Sequence, residues 1–429
     1  MLRRIYMDAN ATTPLLPEVF DAMRPFLLEH FGNASSIHQQ GQHARAAVDH
    51  AREAFAKLLH CRASEIVFTS GGTESNNLAL FGILKAGDHL ITSRTEHHAV
   101  LHAAEALEKQ GVDVTYLGCT PAGLITPESL LEVLRPSTRL VSIMLANNET
   151  GTIQPIAQLA QIAKQHGAYF HTDAVQAAGK LPLNLGLTCS VANPSGCYRD
   201  VDLLSISGHK MYAPQGTGIL FVRRNVRLTP LFHGGTQERQ RRAGTENVAG
   251  IVALGRAAEL AEQWLAADTQ EMADAPLESE LLAMQGSRSP IALARLRDHF
   301  EQTLLAQIPA CGINGAGTER TPNTSNFYFD HVEAEALVIA LDLKGLSVSG
   351  GSACQSGATE PSHVLTAMGL SPVRARASIR FSLSRLTAPE EVEQALKLIP
   401  DAVARLRSLS PTWKNAHRLN AECCHNVNL

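Results

Sequence analysis

Between about residues 65 and 222, short apolar runs alternate with amphipathic stretches, and polar or glycine turns separate them. Ile66-Val67-Phe68 leads through Ser70-Gly71-Gly72-Thr73 into a helical pattern running toward Leu84. His89-Leu90-Ile91 precedes an amphipathic segment over residues 99–110 that stops at Gly111. The apolar run 140–145 passes through Asn147-Asn148 to a predicted helix at 156–166, and runs 168–173 and 201–206 predict two more strands. Strands alternating with helices form a mainly parallel sheet covered on both faces. Polar and glycine residues follow the C-terminal ends of these runs, where open α/β sheets place their ligands.

Beyond about residue 257 the pattern changes. Helical segments at 251–265 and 291–308 precede a strand-like run at 324–329 and a helix at 333–343. A glycine- and serine-rich loop at 349–361, a strand at 378–383 and a helix at 389–406 complete the pattern. This predicts a large α/β domain over 15–256 and a smaller α+β domain made of 1–14 and 257–410. Three stretches read as additions: 188–199, 266–290 and a mobile tail at 411–429.

Composition narrows the function classes. The 429 residues, 45% of them hydrophobic, suffice for two or three domains with ample core. A formal charge of -4 argues against general nucleic-acid binding. No run approaches the roughly 18 apolar residues of a membrane-spanning helix, and the N-terminus lacks the apolar core of a secretory signal. The eight cysteines form no CxxC pair, which argues against a disulfide framework and a structural zinc site. The cytoplasm is the expected compartment.

Lys210, in Ser207-Gly208-His209-Lys210 at the end of an apolar run, carries the strongest chemical signal. A desolvated lysine gives up its proton readily and becomes a nucleophile toward a carbonyl cofactor. Asp173 ends the preceding run and fits a ring-nitrogen partner, so the pair points to pyridoxal phosphate. Gly71-Gly72-Thr73 at a helix start suits a phosphate, with Ser207 and His209 as further donors. His97 lies beyond a strand end and is a candidate ring-stacking group, and Arg380 is a candidate carboxylate clamp. Cys354, in Ser349-Gly350-Gly351-Ser352-Ala353-Cys354, has the small, polar surroundings of a reactive thiol rather than a core cysteine. Each residue alone admits a structural explanation, such as a helix cap or a surface ion pair; the combination favours chemistry on a sulfur-containing amino acid.

The runs MDANATTP, GNASSIH, TSGGTESNN, TEHHAVL, NNETGTIQPI, DAVQAAGK, SGHKMYAPQGTG, HGGTQERQRRAGTEN, PNTSNFYF, SGGSACQSGATEPSHVL and RFSLSR occur in order from Tyr6 to about Leu406. In this the chain resembles the cysteine desulfurases, specifically the NifS/IscS-like branch of the class V aminotransferase, fold type I pyridoxal phosphate enzymes. The resemblance implies that Lys210 bonds the cofactor and moves the substrate's α-proton, while Asp173 pairs with the ring nitrogen. It implies that Gln176 contacts the ring's phenolic oxygen and His97 stacks on the ring. Gly72, Thr73, Ser207 and His209 would hold the phosphate, joined by Thr245 from the second subunit of a homodimer. Asn148 and Arg380 would hold the carboxylate of L-cysteine, and Cys354 would take the sulfur as a persulfide. An iron–sulfur scaffold protein or another thiol acceptor would receive it. No resident metal is implied, with Cys354 a candidate for sharing in a transient iron–sulfur cluster. Gln215 departs from the family pattern, where lysine is common. Competing readings are a related lyase or aminotransferase of the same fold, such as a selenocysteine lyase, and a non-catalytic partner or scaffold that has kept the fold.

Overall fold

The computed structural model describes residues 4–186, 197–267, 289–350 and 360–414. Cys354, Cys189, Cys423, Cys424 and nearly all of the 266–290 segment therefore lie outside the described residues. Cys197 is within them and is disulfide-bonded.

The strands in chain order are β1 (Ile5–Tyr6), β2 (Ile66–Thr69), β3 (His89–Ser93), β4 (Asp113–Leu117), β5 (Thr138–Ser142), β6 (Tyr169–Asp173), β7 (Leu203–Ser207) and β8 (Gly218–Val222). They continue with β9 (Cys311–Ile313), β10 (Thr324–Phe329), β11 (Leu346–Ser347), β12 (Ser349–Gly350) and β13 (Ser378–Ser382). A seven-stranded sheet runs in the order β2-β8-β7-β6-β5-β3-β4. All its pairings are parallel except those of β8, which lies antiparallel to both β2 and β7. Every residue of β2, β3, β7 and β8 is buried, as expected of strands covered on both faces.

One apolar cluster, around Phe55, Ile91, Val141, Phe170, Leu204 and Leu254, fills one face of this sheet, and another, around Leu78, Leu90, Val100 and Leu220, fills the other. Two long helices, Gln39–Leu58 and Val248–Ala266, pack together on the first face. A separate four-stranded sheet, β12-β13-β10-β9, has its own core of Phe300, Phe327, Phe329, Phe381 and Leu396. The helices Pro290–Gln307 and Pro389–Leu409 pack against each other in that core.

The N-terminal segment ties the two sheets together. β1 pairs with β11, Ala9 N donates to Ser382 O at 3.0 Å, and Thr13 N donates to His209 O at 2.9 Å. Most of the predicted elements form within a few residues of their expected bounds. The run 140–145 ends as regular strand at Ser142, but Ile143 N and Leu145 N still donate to His171 O and Asp173 O, so the extended path carries on to Asn147. Among the described residues, no helix is long and apolar enough to cross a membrane.

Candidate active site

Three strand ends of the large sheet deliver the chemistry. β6 ends on Asp173, and β7, its parallel neighbour, ends on Ser207 and turns at once through Gly208–Lys210. β2 ends at Thr69, and after Gly71 the chain enters the helix Gly72–Ile83. Gly71 has φ +154°, a backbone few side chains tolerate, and a Cβ on Gly72 would come within 2.8 Å of Val175 Cγ2. The helix N-terminus is thereby held open toward a cavity of about 320 Å³. Lys210, Asp173, His97, Gly72, Thr73, Gln176, Ser207, His209, Asn148 and Arg380 all line it. The structure thus brings together every predicted site residue it describes except Thr245. That residue is exposed and borders a second, smaller cavity with Ser70, Glu238 and Arg242.

Hydrogen bonds fix the orientation of each group. Lys210 Nζ donates to the carbonyls of Asn10 and Ala11 at 2.6 and 2.5 Å. Asp173 is buried, with Oδ2 accepting from Asn76 Nδ2 at 2.7 Å and Oδ1 from Val175 N at 2.9 Å. His97 caps the helix His98–Glu108, its Nδ1 accepting from Ala99 N at 3.1 Å. Burial holds its pKa below the ordinary histidine value; the Asp173 charge opposes this, and His98 and Lys210 reinforce it. With Nδ1 accepting, the neutral ring carries its proton on Nε2. His209, whose Nδ1 meets Thr12 Oγ1 at 3.1 Å, is pushed down to about 4 by burial and by Lys210.

The opposite wall comes from the second sheet. Arg380 in β13 donates through Nη2 to Asp8 Oδ1 at 2.8 Å and through Nη1 to the Asn148 carbonyl at 3.0 Å. Its Nε is buried without a partner among the described residues. A buried donor left unpaired is costly, and an anionic ligand in the cavity would relieve it. Both flanks of the segment bearing Cys354 are anchored beside this wall. Ser349 pairs with Arg380 across β12 and β13, and Ser362 Oγ donates to Glu149 Oε2 at 2.5 Å. Burial pushes the Glu149 carboxyl up to about 7, against the lowering effect of Ser362 and Arg380. Cys354 itself lies outside the described residues.

Sequence reasoning gave no role to Asn10, Asp8 or Asn76. Asn10 is a hub: its carbonyl accepts from Lys210 and Gln176, and its Nδ2 donates to the Asn148 carbonyl and to Thr324 Oγ1. The available signal was the MDANATTP run, a polar stretch in an otherwise ordinary N-terminus.

The donor set fits pyridoxal phosphate. A buried carboxylate, an amine on the neighbouring strand end and an open helix N-terminus flanked by hydroxyl and imidazole groups meet its ring nitrogen, aldehyde and phosphate.

Comparison with known proteins agrees. The class V aminotransferase family model matches residues 5–395. The cysteine desulfurase IscS of Dictyoglomus turgidum is 45% identical over 424 residues, covering 98% of this chain and 99% of that protein. A solved NifS-like protein superposes with a TM-score of 0.79 at 34% identity, over 94% of this chain and 99% of its own. A structure described as SspA in complex with cysteine gives 0.71 at 36% identity, over 89% and 99%. With near-complete coverage and the cofactor's donor set in place, the chain belongs to the cysteine desulfurases of the pyridoxal phosphate-dependent class V aminotransferase family.

Proposed function

We propose that this chain is a cysteine desulfurase, which takes sulfur from L-cysteine, releases L-alanine and leaves a persulfide on Cys354. The observation that carries the reading is the convergence on one cavity of Lys210, Asp173, the Gly72–Ile83 helix N-terminus and Arg380. The relative solved with cysteine supports the substrate class.

Lys210 would hold pyridoxal phosphate, which when bound would supply an electron sink for charge on the carbon next to the substrate's amine. Asp173, fixed by Asn76 and the Val175 amide, stands where the ring nitrogen would need a carboxylate partner. Thr73, Ser207 and His209 would hold the cofactor's phosphate with the helix N-terminus, and Gln176 would offer its amide to the phenolic oxygen. Arg380 and Asn148 hold the substrate carboxylate and so orient the Cα–H bond toward Lys210, whose amine takes and returns the proton. His97, whose pKa burial holds below the ordinary histidine value and whose Nδ1 accepts from Ala99 N, would face a bound ring and could move a proton at Nε2. The Cys354 thiolate attacks the substrate sulfur; its S–S bond forms as the C–S bond breaks, and the electron pair left on carbon is protonated to give alanine.

Thr245 sits away from the Lys210 cavity within its own chain, which supports a homodimer in which it completes the partner's phosphate site. Residues 15–256 act as the cofactor domain, and 1–14 with 257–410 as the domain that carries the sulfur. The acceptor is an iron–sulfur scaffold or another thiol protein, a reading in keeping with the IscS name of the Dictyoglomus relative. Mass spectrometry after incubation with L-cysteine tests the reading. One added sulfur on the peptide bearing Cys354, with stoichiometric alanine, is expected; alanine without added sulfur would overturn the persulfide step.

A further inference from the structure

Lys180 is a buried amine for which the reaction above has no use. It lies in the compact turn after β6, four residues beyond Gln176, and is only 6% exposed. Its Nζ donates to Gln176 Oε1 at 2.8 Å and approaches Asn10 Oδ1 at 3.4 Å. In its protonated form Lys180 can only donate, so the Gln176 amide then meets it oxygen-first and turns its NH2 end the other way. There Gln176 Nε2 donates to the Asn10 carbonyl at 3.0 Å, the same carbonyl that accepts from Lys210 at 2.6 Å. Two lysines thus hang on one asparagine, Lys180 on its side chain and Lys210 on its backbone. The second N–H of the Gln176 amide is left for a group bound in the cavity that Gln176 lines.

We propose that Lys180 is a positioning residue of the cofactor site: it locks the Gln176 amide with its N–H edge toward the bound cofactor and sets a second positive charge beside Lys210. It touches none of the reacting atoms. Burial brings the Lys180 ammonium down to about 7, and repulsion from Lys210 and Arg380 adds to the effect. These are the charged groups that face it, and the carboxylate nearest Arg380, Asp8, is already paired with that arginine. Repulsion is mutual, so the Lys180 charge lowers proton affinity at the Lys210 nitrogen, and the deprotonated amine is the form that bonds a carbonyl.

The inference rests on reading the cavity as a pyridoxal phosphate site, and its test separates the two. The readout is the pH midpoint of the visible absorption band of the purified, cofactor-loaded protein. Lys180→Gln keeps a donor for Gln176 and Asn10 but removes the charge. Its midpoint should rise, by on the order of tenfold in proton affinity. Lys180→Met, which also removes the donor, should show the same rise and in addition bind added pyridoxal phosphate several-fold more weakly. Lys180→Arg should restore the wild-type midpoint. A wild-type protein with no visible band would refute the cofactor reading itself. With a normal wild-type band, an unshifted midpoint in folded Lys180→Gln overturns the present inference alone. So would failure of both neutral variants to fold even without cofactor, which would assign Lys180 to folding only.

Discussion

The cofactor wall of the cavity is assembled from strand ends, whereas the substrate wall is built around an arginine reaching in from a different sheet to meet Asn148. On the first wall, Asp173 and Ser207 end the adjacent parallel strands β6 and β7, and the pairing of Asp173 with Ser205 sets their relative depth. Both strands are packed in a core of residues such as Phe170, Leu204 and Ile206. On the second wall, the guanidinium of Arg380 is placed by two side-chain hydrogen bonds, to Asp8 and to the Asn148 carbonyl. Backbone registry within one sheet makes the first wall rigid; Arg380 is registered in its own sheet too, opposite Ser349 and Asn326, but meets the first wall only through contacts between separately packed cores. Activating the carbon skeleton needs fixed geometry. Accepting sulfur and passing it on needs an adjustable wall, and the flanks of the cysteine segment, Ser349 and Ser362, attach beside the adjustable one.

The sharpest way to break this division is to remove one chemical group from each side. Lys210→Ala should abolish the visible cofactor band and lower alanine formation by about 10⁴-fold or more. Cys354→Ala should leave the band intact while no sulfur mass appears on the protein after L-cysteine. If it lost the band as well, the two sides would not be separable. A smaller effect is expected at the substrate wall. Arg380→Lys, which loses the paired donors, should lower kcat/KM about 100-fold, mainly through KM, without changing the band. Loss of the band there would show that Arg380 supports the cofactor and would erase the distinction.

The smallest effect concerns stability on the rigid side. Glu96 is fully buried, its Oε1 accepting from Ser93 Oγ and Met144 N, and its Oε2 has no partner among the described residues. Burial raises its pKa to about 8. A carboxyl whose folded pKa is raised costs stability only where the unfolded chain has lost the proton. The cost therefore grows from pH ~4.5 up to about 8. Glu96→Gln mimics the protonated acid, so its melting temperature should match wild type near pH 4.5 and exceed it by a margin that widens toward pH 8. A constant difference across that range would place the effect in packing rather than ionisation.

Much of the rigid wall was legible in the sequence because it follows a one-dimensional rule. An apolar run followed by a polar or glycine turn marks a strand end, and Asp173, Ser207, Lys210 and Gly72 all stand at such ends. β8 was less legible, since hydrophobic periodicity does not encode direction and it inserts antiparallel between β2 and β7. Asn10, Asp8 and Asn76 went unassigned for a different reason. Their roles arise from partners 372, 200 or 97 positions away, and no local pattern marks such a contact. Thr245 shows the remaining limit: its predicted place requires a second chain, and within one chain it faces another cavity.

The carbonyls of Asn10 and Ala11 that hold Lys210 belong to a segment clamped by β11 and β13, near the other end of the chain. During synthesis these carbonyls emerge first, the lysine follows some 200 residues later, and the strands that secure the carbonyls emerge last. A growing chain therefore has the amine long before it has the cradle, because contacts this distant in sequence close late.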